Sequence, residues 1–103
     1  MSALALWLES QRASVPETLW RELQARVAFH DAAGESAFAG LSSATKTQLE
    51  RMRTREYVDR ADALDLLTAD AMITYLLEVA TSDPDIDLDS AACELMRQVA
   101  GQA

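Results

Sequence analysis

The segment from Asp62 to Thr81 constrains the fold more than any other part of this sequence. At about 100° per residue, four polar residues of a helix over this segment fall within an arc of about 80°. They are Asp70, Thr74, Glu78 and Thr81. Apolar residues occupy nearly all of the remaining arc of about 280°, whereas an ordinary surface helix needs only about 100°. The segment is therefore predicted to be the central helix of a bundle, or to lie at an interface between chains.

The composition agrees with a helical chain. Ala and Leu together supply 33 residues, Val and Ile supply 7, and Gly and Pro supply 5. The first pair favours helices, the second favours strands, and the third interrupts both. A length of 103 residues suits one domain. We predict an all-α fold in a single domain over residues 1–103, as a small bundle of four or five helices around the central helix at about residues 62–81.

The N-terminal third of the chain predicts a helical hairpin. A first helix is expected over about residues 3–12, because apolar residues recur at helical spacing. A second helix is expected to start with a capping box, in which Ser14 accepts from the amide of Glu17 and the Glu17 side chain reaches back. Trp7 and Trp20 adjoin the apolar stripes and are interpreted as core residues. The alternative is that they are exposed anchors for a partner.

The stretch from Gly34 to Thr47 carries the weakest helical signal. Gly40, Ser42 and Ser43 all have low helix propensity. We therefore predict a loop here, with one helical turn around Phe38.

The helical pattern recovers after this stretch. A helix is expected to resume at Ser43 or Thr45, and its pattern leaves open whether it breaks before Val58. Asp59 or Asp62 would then cap a new helix, since Asp is a favoured N-cap residue.

The C-terminal part predicts one more helix. Pro84 ends the central helix, and the last helix is expected from about Asp89 to Ala100. Its predicted buried stripe consists of Ala92, Leu95, Met96 and Val99. Cys93 lies among apolar neighbours and is predicted to be a small buried hydrophobe rather than a nucleophilic thiolate.

The net charge of −8 is concentrated in one half of the chain. Residues 1–60 carry eight basic and eight acidic residues, whereas residues 61–103 carry nine carboxylates against Arg97 alone. An acidic half repels nucleic-acid phosphates and anionic lipids, so a charged partner is expected to be a basic protein. The simpler interpretation is that the charge keeps the protein soluble. Residues 46–60 hold five basic and three acidic residues, and Arg51, Arg53 and Arg55 alternate along the chain, which distributes them around a helix. The segment is therefore expected to pair with the acidic half, within a chain or between chains, and not with nucleic acid.

An acidic ladder follows the central helix. Asp83, Asp85, Asp87 and Asp89 alternate along the chain, and Glu94 comes twelfth if Asp83 is counted as first. This spacing resembles that of an EF-hand calcium loop. The sixth position of such a loop requires glycine for its turn, and here it is Leu88. The ladder therefore predicts a calcium site only as the alternative to an acidic linker at the positive end of the last helix.

Other chemistry finds little support in the sequence. His30 and Cys93 are single residues of their type, so a zinc cluster is not expected. His30 with its neighbour Asp31, and the polar pair Asp70 and Glu78, are the only candidate groups for an enzyme. Asp70 and Glu78 lie about 12 Å apart along a helix, which is too far for a shared proton. We expect no catalytic residue, no cofactor and no metal.

The sequence thus predicts a non-enzymatic interaction or regulatory protein that presents an acidic surface, with Trp7, Trp20, Asp70 and Glu78 as candidate contact residues. The runner-up is a calcium-sensing module. A cytoplasmic location is expected, because no apolar run approaches the about 20 residues that span a bilayer and a lone cysteine forms no internal disulfide. A homodimer is expected as well, since two copies can together cover the apolar arc of the central helix.

Overall fold

The part of the chain that the structure describes forms five α-helices that pack together. The structure, a computed structural model, describes residues 3–30, 36–53 and 60–100, with the side chains of residues 29, 60 and 61 excepted. The helices are α1 (Ala3–Glu9), α2 (Glu17–Val27), α3 (Ala37–Arg53), α4 (Arg60–Ser82) and α5 (Leu88–Val99), with short 3-10 turns at Arg12–Ser14 and Ala28–His30. No strand occurs among the described residues. The predicted all-α bundle is confirmed.

Helix α4 is the centre of the bundle, as its wide apolar arc predicts. It packs against α2, α3 and α5. Met72, Leu76 and Val79 of α4 belong to one core cluster with residues of all the other helices. The buried members contributed by those helices are Leu4, Leu8, Leu19, Trp20, Leu23, Val27, Leu41, Ala44 and Leu95. The polar stripe of α4 is exposed along its whole length, so the predicted orientation of this helix is confirmed.

The two tryptophans pack differently. Trp20 is 2% exposed and lies within the core. The Arg12 guanidinium sits 5.4 Å from the centroid of its ring, at cation–π distance. Trp7 is half-buried and meets Tyr75 edge to face, with ring centroids 5.3 Å apart. Burial raises the pKa of Tyr75, and the Glu78 carboxylate adds to that rise.

The predicted capping box at the start of α2 is wrong. The Ser14 hydroxyl donates to the Gln11 carbonyl at 2.9 Å, closing the 3-10 turn instead of capping a helix. Pro16 takes the N-cap position without a side-chain hydrogen bond, and Glu17 is the first helical residue. The extended backbone at Pro16 moves the N-cap two residues later than the predicted Ser14, so Glu17 is the first helical residue and not the third that a capping box requires.

The predicted loop between Gly34 and Thr47 is also wrong over its described part, because α3 already begins at Ala37. The Ser36 hydroxyl accepts from the Ala39 amide at 3.1 Å, which stabilises the start of the helix. A Cβ atom at Gly40 would lie 2.6 Å from the His30 carbonyl oxygen and 2.9 Å from Leu4 Cδ2. Glycine therefore allows α3 to pack closely on its neighbours, and this packing outweighs the low helix propensity. Gly34 lies outside the described residues.

A layer of buried polar side chains lies where α3 meets α4. Its members are Thr45, Gln48, Asp62, Asp65 and Thr68. The threonines donate to carbonyls one turn back, Thr45 to Leu41 at 2.8 Å and Thr68 to Leu64 at 2.7 Å. These bonds within each helix remove the cost of burying two hydroxyl groups.

Gln48 and Arg51 of α3 both contact Asp65 of α4. Gln48 Nε2 donates to the Asp65 carbonyl oxygen at 3.2 Å, and Arg51 Nη1 lies 3.5 Å from Asp65 Oδ1. Asp62, predicted as a possible N-cap, is instead buried within the first turn of α4, because the helix already starts at Arg60. The other candidate cap, Asp59, and the possible break before Val58 lie outside the described residues.

The buried stripe predicted for α5 is only partly correct. Leu95 is buried, but Met96 is 69% and Val99 is 60% exposed. Cys93 is exposed too, so its predicted burial is wrong. Helix α5 lies at the edge of the bundle, where it packs against α4 and α3 on one side only. That side carries Leu95, and the neighbouring part of the apolar stripe faces away from the bundle.

We predict that Gly40→Ala destabilises the protein, although alanine is the better helix former. The added Cβ would overlap a backbone oxygen that cannot move independently, and such overpacking costs about 1–3 kcal/mol. Thr47→Ala, at an exposed position of the same helix, should leave the free energy of unfolding unchanged or slightly increase it. Urea titration followed by circular dichroism measures both variants. An equal or higher stability of Gly40→Ala would contradict the close approach.

We further predict that Arg51→Gln lowers the free energy of unfolding by about 1–3 kcal/mol, because it removes a positive charge next to the buried Asp65 carboxylate. Arg21→Gln is the matched control. It breaks a solvent-exposed ion pair with Glu17 and should change stability by less than about 0.5 kcal/mol. Equal effects of the two substitutions in a urea titration would show that the Arg51–Asp65 pair does not stabilise the fold.

Candidate functional site

A pocket of about 370 Å³ opens between α3, α4 and α5. We call it the α3–α5 pocket. Its apolar lining consists of Phe38, Leu76, Ile86, Ala91 and Leu95. Its polar lining consists of Ser42, Asp85, Asp87, Ser90, Glu94 and Gln98. A concave apolar surface with a few polar groups is the usual form of a binding site.

The connection between α4 and α5 is a compact turn that brings side chains to this pocket. Asp83 Oδ1 accepts from the Asp85 amide at 2.9 Å, and the Ile86 amide donates to the Asp83 carbonyl at 3.1 Å. These two bonds hold the turn in place. It carries the Ile86 side chain to the apolar lining and Asp85 and Asp87 to the polar lining.

Asp87 is the N-cap of α5. Its carboxylate accepts from the Asp89 amide at 3.1 Å and from the Ser90 hydroxyl at 2.7 Å. These bonds, the Ser90 bond above all, hold the pKa of Asp87 below its ordinary value. Asp87 therefore carries its negative charge throughout the neutral range, in a fixed position beside the pocket.

The lining of the α3–α5 pocket has one sign of charge. Among the described residues that line it, Asp85, Asp87 and Glu94 are acidic and none is Lys or Arg. The nearest basic group on α5 is Arg97, whose guanidinium contacts the Glu94 carboxylate. Both members of that pair are exposed, so the contact is weak and can exchange with other cations. The pocket is thus an apolar depression bordered by negative charge.

The acidic ladder does not form a calcium loop in this structure. Helix α5 begins at Leu88, so the chain enters a helix at the position where an EF-hand loop turns on glycine. Asp89 and Glu94 are consequently helical residues, while Asp83 is bonded within the preceding turn. Within residues 3–30, 36–53 and 60–100, no three His, Cys, Asp or Glu side chains converge as metal ligands.

The other residues singled out from the sequence lie apart from the pocket lining. Asp70 and Glu78 are exposed on the polar stripe of α4. His30 Nδ1 is 2.9 Å from the Ser43 hydroxyl, a contact that ties the 3-10 turn after α2 to α3. Its sequence neighbour Asp31 lies outside the described residues. Trp7 and Trp20 contribute to packing, as described above.

The basic segment after Lys46 makes the contacts within the chain that its charges predict. Arg51 pairs with Asp65 of the acidic half, and Arg53 donates to the Gln98 carbonyl near the C-terminal end of α5. The second contact places a cation at the negative end of a helix dipole, which is favourable. The segment thus holds α3 to both of the helices that follow it.

The pocket itself is not evident from the sequence. The pattern predicts a single helical turn around Phe38 within a loop, and it predicts Leu76 to be a core residue of the central helix. The one available signal was Ile86, which interrupts a run of acidic residues and needs an apolar neighbour. Its neighbours across the pocket come from helices far away in the sequence, and that proximity exists only in the folded chain.

No protein-family model, curated protein or solved structure matches this chain. None of the helices in the described part of the chain is long and apolar enough to cross a membrane. The evidence for a function is therefore the shape and charge of the α3–α5 pocket.

Proposed function

We propose that this protein is a non-enzymatic, cytoplasmic interaction or regulatory protein, and that its acidic half binds a basic protein partner. The observation that carries this proposal is the α3–α5 pocket, in which an apolar lining and three carboxylates occur together. Burial of one large apolar side chain contributes about 1.5–3 kcal/mol to binding. The surrounding carboxylates make the pocket selective for basic partners and increase the rate at which such partners associate with it.

The distribution of surface charge supports a basic partner. All of the excess negative charge belongs to residues 61–103. Asp62 and Asp65 are buried, and Arg51 pairs with Asp65, so these two carboxylates are not on the surface that a partner meets. Of the exposed carboxylates, Asp70 and Glu78 lie on the α4 stripe, and Asp85, Asp87 and Glu94 lie at the pocket border. Asp89 is exposed on α5 outside the pocket lining. The group at the pocket border lies beside an apolar depression and is the one we assign to binding.

Capture of partners by the immobilised full-length chain from an extract of the native host tests this function. We expect basic proteins to be retained at about 50 mM salt and released at about 500 mM, where the Debye length falls below about 5 Å. Asp85→Asn with Glu94→Gln should reduce their capture about fivefold, if each exposed pair contributes about 0.5 kcal/mol.

The matched control is Asp70→Asn with Glu78→Gln, which removes the same charge from the α4 stripe. It should capture the same proteins as the unmodified chain. If capture falls with Asp70→Asn and Glu78→Gln but not with Asp85→Asn and Glu94→Gln, the binding surface is the α4 stripe and not the pocket. Retention of no basic protein at low salt would contradict the proposed function.

We also propose that the chain forms a homodimer through α4. Leu66 and Leu67 are each 51% exposed on the helix with the widest apolar arc. A second copy placed about a two-fold axis would cover these side chains, and two-fold dimers are the commonest closed assemblies. This surface does not include any residue of the α3–α5 pocket.

Light scattering behind a sizing column, at about 50 μM protein, tests the dimer. We expect a mass of twice 11.3 kDa for the unmodified chain. The double variant Leu66→Ser with Leu67→Ser should have the mass of one chain. Each substitution removes up to about 1.5–3 kcal/mol of the free energy of dimerisation, because serine buries no apolar side chain at the interface. Leu6→Ser, at a similarly exposed leucine of α1, should leave the dimer intact. A single-chain mass for the unmodified protein would contradict this proposal.

A further inference from the structure

We propose that the α3–α5 pocket binds a basic amphipathic helix of another protein, with two apolar side chains of that helix inserted into the pocket. This inference rests on the proposed function and specifies its partner. It is drawn from the volume of the pocket, its lining and the position of its charges.

The volume favours more than one inserted side chain. About 370 Å³ corresponds to roughly a dozen water molecules at about 30 Å³ each. That space exceeds what one leucine or phenylalanine side chain occupies. Two apolar residues of one segment can enter the same depression when they lie on one face, and in a helix these are residues i and i+3 or i+4.

The apolar lining of the α3–α5 pocket can accommodate the two inserted side chains. Phe38 of α3, Leu76 of α4 and Leu95 of α5 approach the pocket from three helices, and Ile86 closes it from the connecting turn. Leu76 and Leu95 belong to the core cluster, and Phe38 packs against it, so the walls are held by the fold. A preformed apolar site loses little entropy on binding.

The carboxylates explain why the helix should be basic. Asp85 and Asp87 lie on the turn, and Glu94 lies on α5, so negative charge borders the opening along the α5 side. Lysine or arginine residues adjacent to the anchors would reach these groups. Arg97 already contacts Glu94 through an exposed pair, which a basic residue of the partner can replace.

The local charge argues against a second copy of the chain as the occupant. Two copies that met pocket to pocket would bring Asp85, Asp87 and Glu94 of both chains together, and these carboxylates would repel each other. Nucleic acid and anionic lipid are disfavoured for the same reason. A cationic helix is the occupant whose apolar face and charge both match.

The probe for this site is a synthetic, fluorescein-labelled helix of leucine and lysine with all leucines on one face. Fluorescence anisotropy with the full-length protein should show saturable binding. A peptide of the same composition with scrambled order should bind about tenfold more weakly, because its anchors no longer lie on one face. A third peptide with glutamate in place of lysine should not bind. Equal binding of the ordered and scrambled peptides would overturn the proposal.

Isoleucine methyl signals locate the bound peptide without a mutation. The chain contains two isoleucines, Ile86 in the pocket lining and Ile73 on α4 outside it. With ¹³C-labelled isoleucine methyl groups, the ordered peptide should shift the Ile86 signal and leave Ile73 unchanged. Ile73→Val assigns the two signals. Binding that leaves Ile86 unshifted would place the peptide elsewhere and overturn the proposal.

A blocking variant gives an independent test. Ser42→Trp places a large side chain into the pocket from α3 and should weaken binding of the ordered peptide about tenfold or more, as expected when a central anchor site is filled. Thr47→Trp, at an exposed position of α3 outside the lining, should bind normally. Circular dichroism of both variants checks that they are folded, and the methyl experiment decides the question if Ser42→Trp is not.

These outcomes separate the helix proposal from the proposed function. If host proteins are captured through Asp85 and Glu94 but the peptide neither shifts Ile86 nor responds to Ser42→Trp, the acidic surface binds basic proteins and the helix proposal is wrong. If neither host proteins nor the peptide bind, both proposals are wrong.

Discussion

The wide apolar arc of α4 has to be buried, and the packing of α2, α3 and α5 follows from this requirement. A helix that is apolar over most of its circumference must be covered on several sides, and α2, α3 and α5 provide that cover. Met72 and Leu76 lie at the centre of the resulting cluster. The exposed stripe of α4 marks the one direction in which no cover is needed. Helix α1 packs mainly against α3, where Gly40 allows a close approach, and not against α2 as the predicted helical hairpin requires.

The α3–α5 pocket is a consequence of how α5 completes this cover. Helix α5 meets the bundle through one side, with Leu95 as its buried residue, and leaves Met96 and Val99 exposed. Space therefore remains between α5 and the helices that it covers, and the turn carrying Ile86 closes one end of it. The same turn carries acidic residues because Asp83 and Asp87 are needed as hydrogen-bond acceptors at two helix ends. The turn therefore places the apolar Ile86 side chain next to aspartates that accept hydrogen bonds from the backbone.

The features that could be predicted are those determined by local periodicity. The pattern over residues 62–81 defined the central helix and its solvated stripe, and composition defined the fold class. Predictions failed where packing reversed a local preference. Gly40 lowers helix propensity but permits close packing, so α3 is longer than expected. Cys93, Met96 and Val99 lie in an apolar pattern, but the edge position of α5 leaves them exposed. Of the candidate site, the sequence indicates only the acidic residues and Ile86 among them, and the spacing of the acidic residues resembles a calcium loop and does not indicate a pocket.

A helical chain, a central α4 and an acidic C-terminal half can be predicted from the residues alone, because helix propensity, apolar periodicity and charge are properties of neighbouring residues. Which carboxylates reach the surface depends on the folded structure. It buried Asp62 and Asp65 between α3 and α4 and left Asp85, Asp87 and Glu94 at the opening of a pocket. It also brought Phe38 to Leu76 and Ile86. These outcomes depend on how each helix is rotated about its axis, and that rotation is set by contacts between residues distant in the chain.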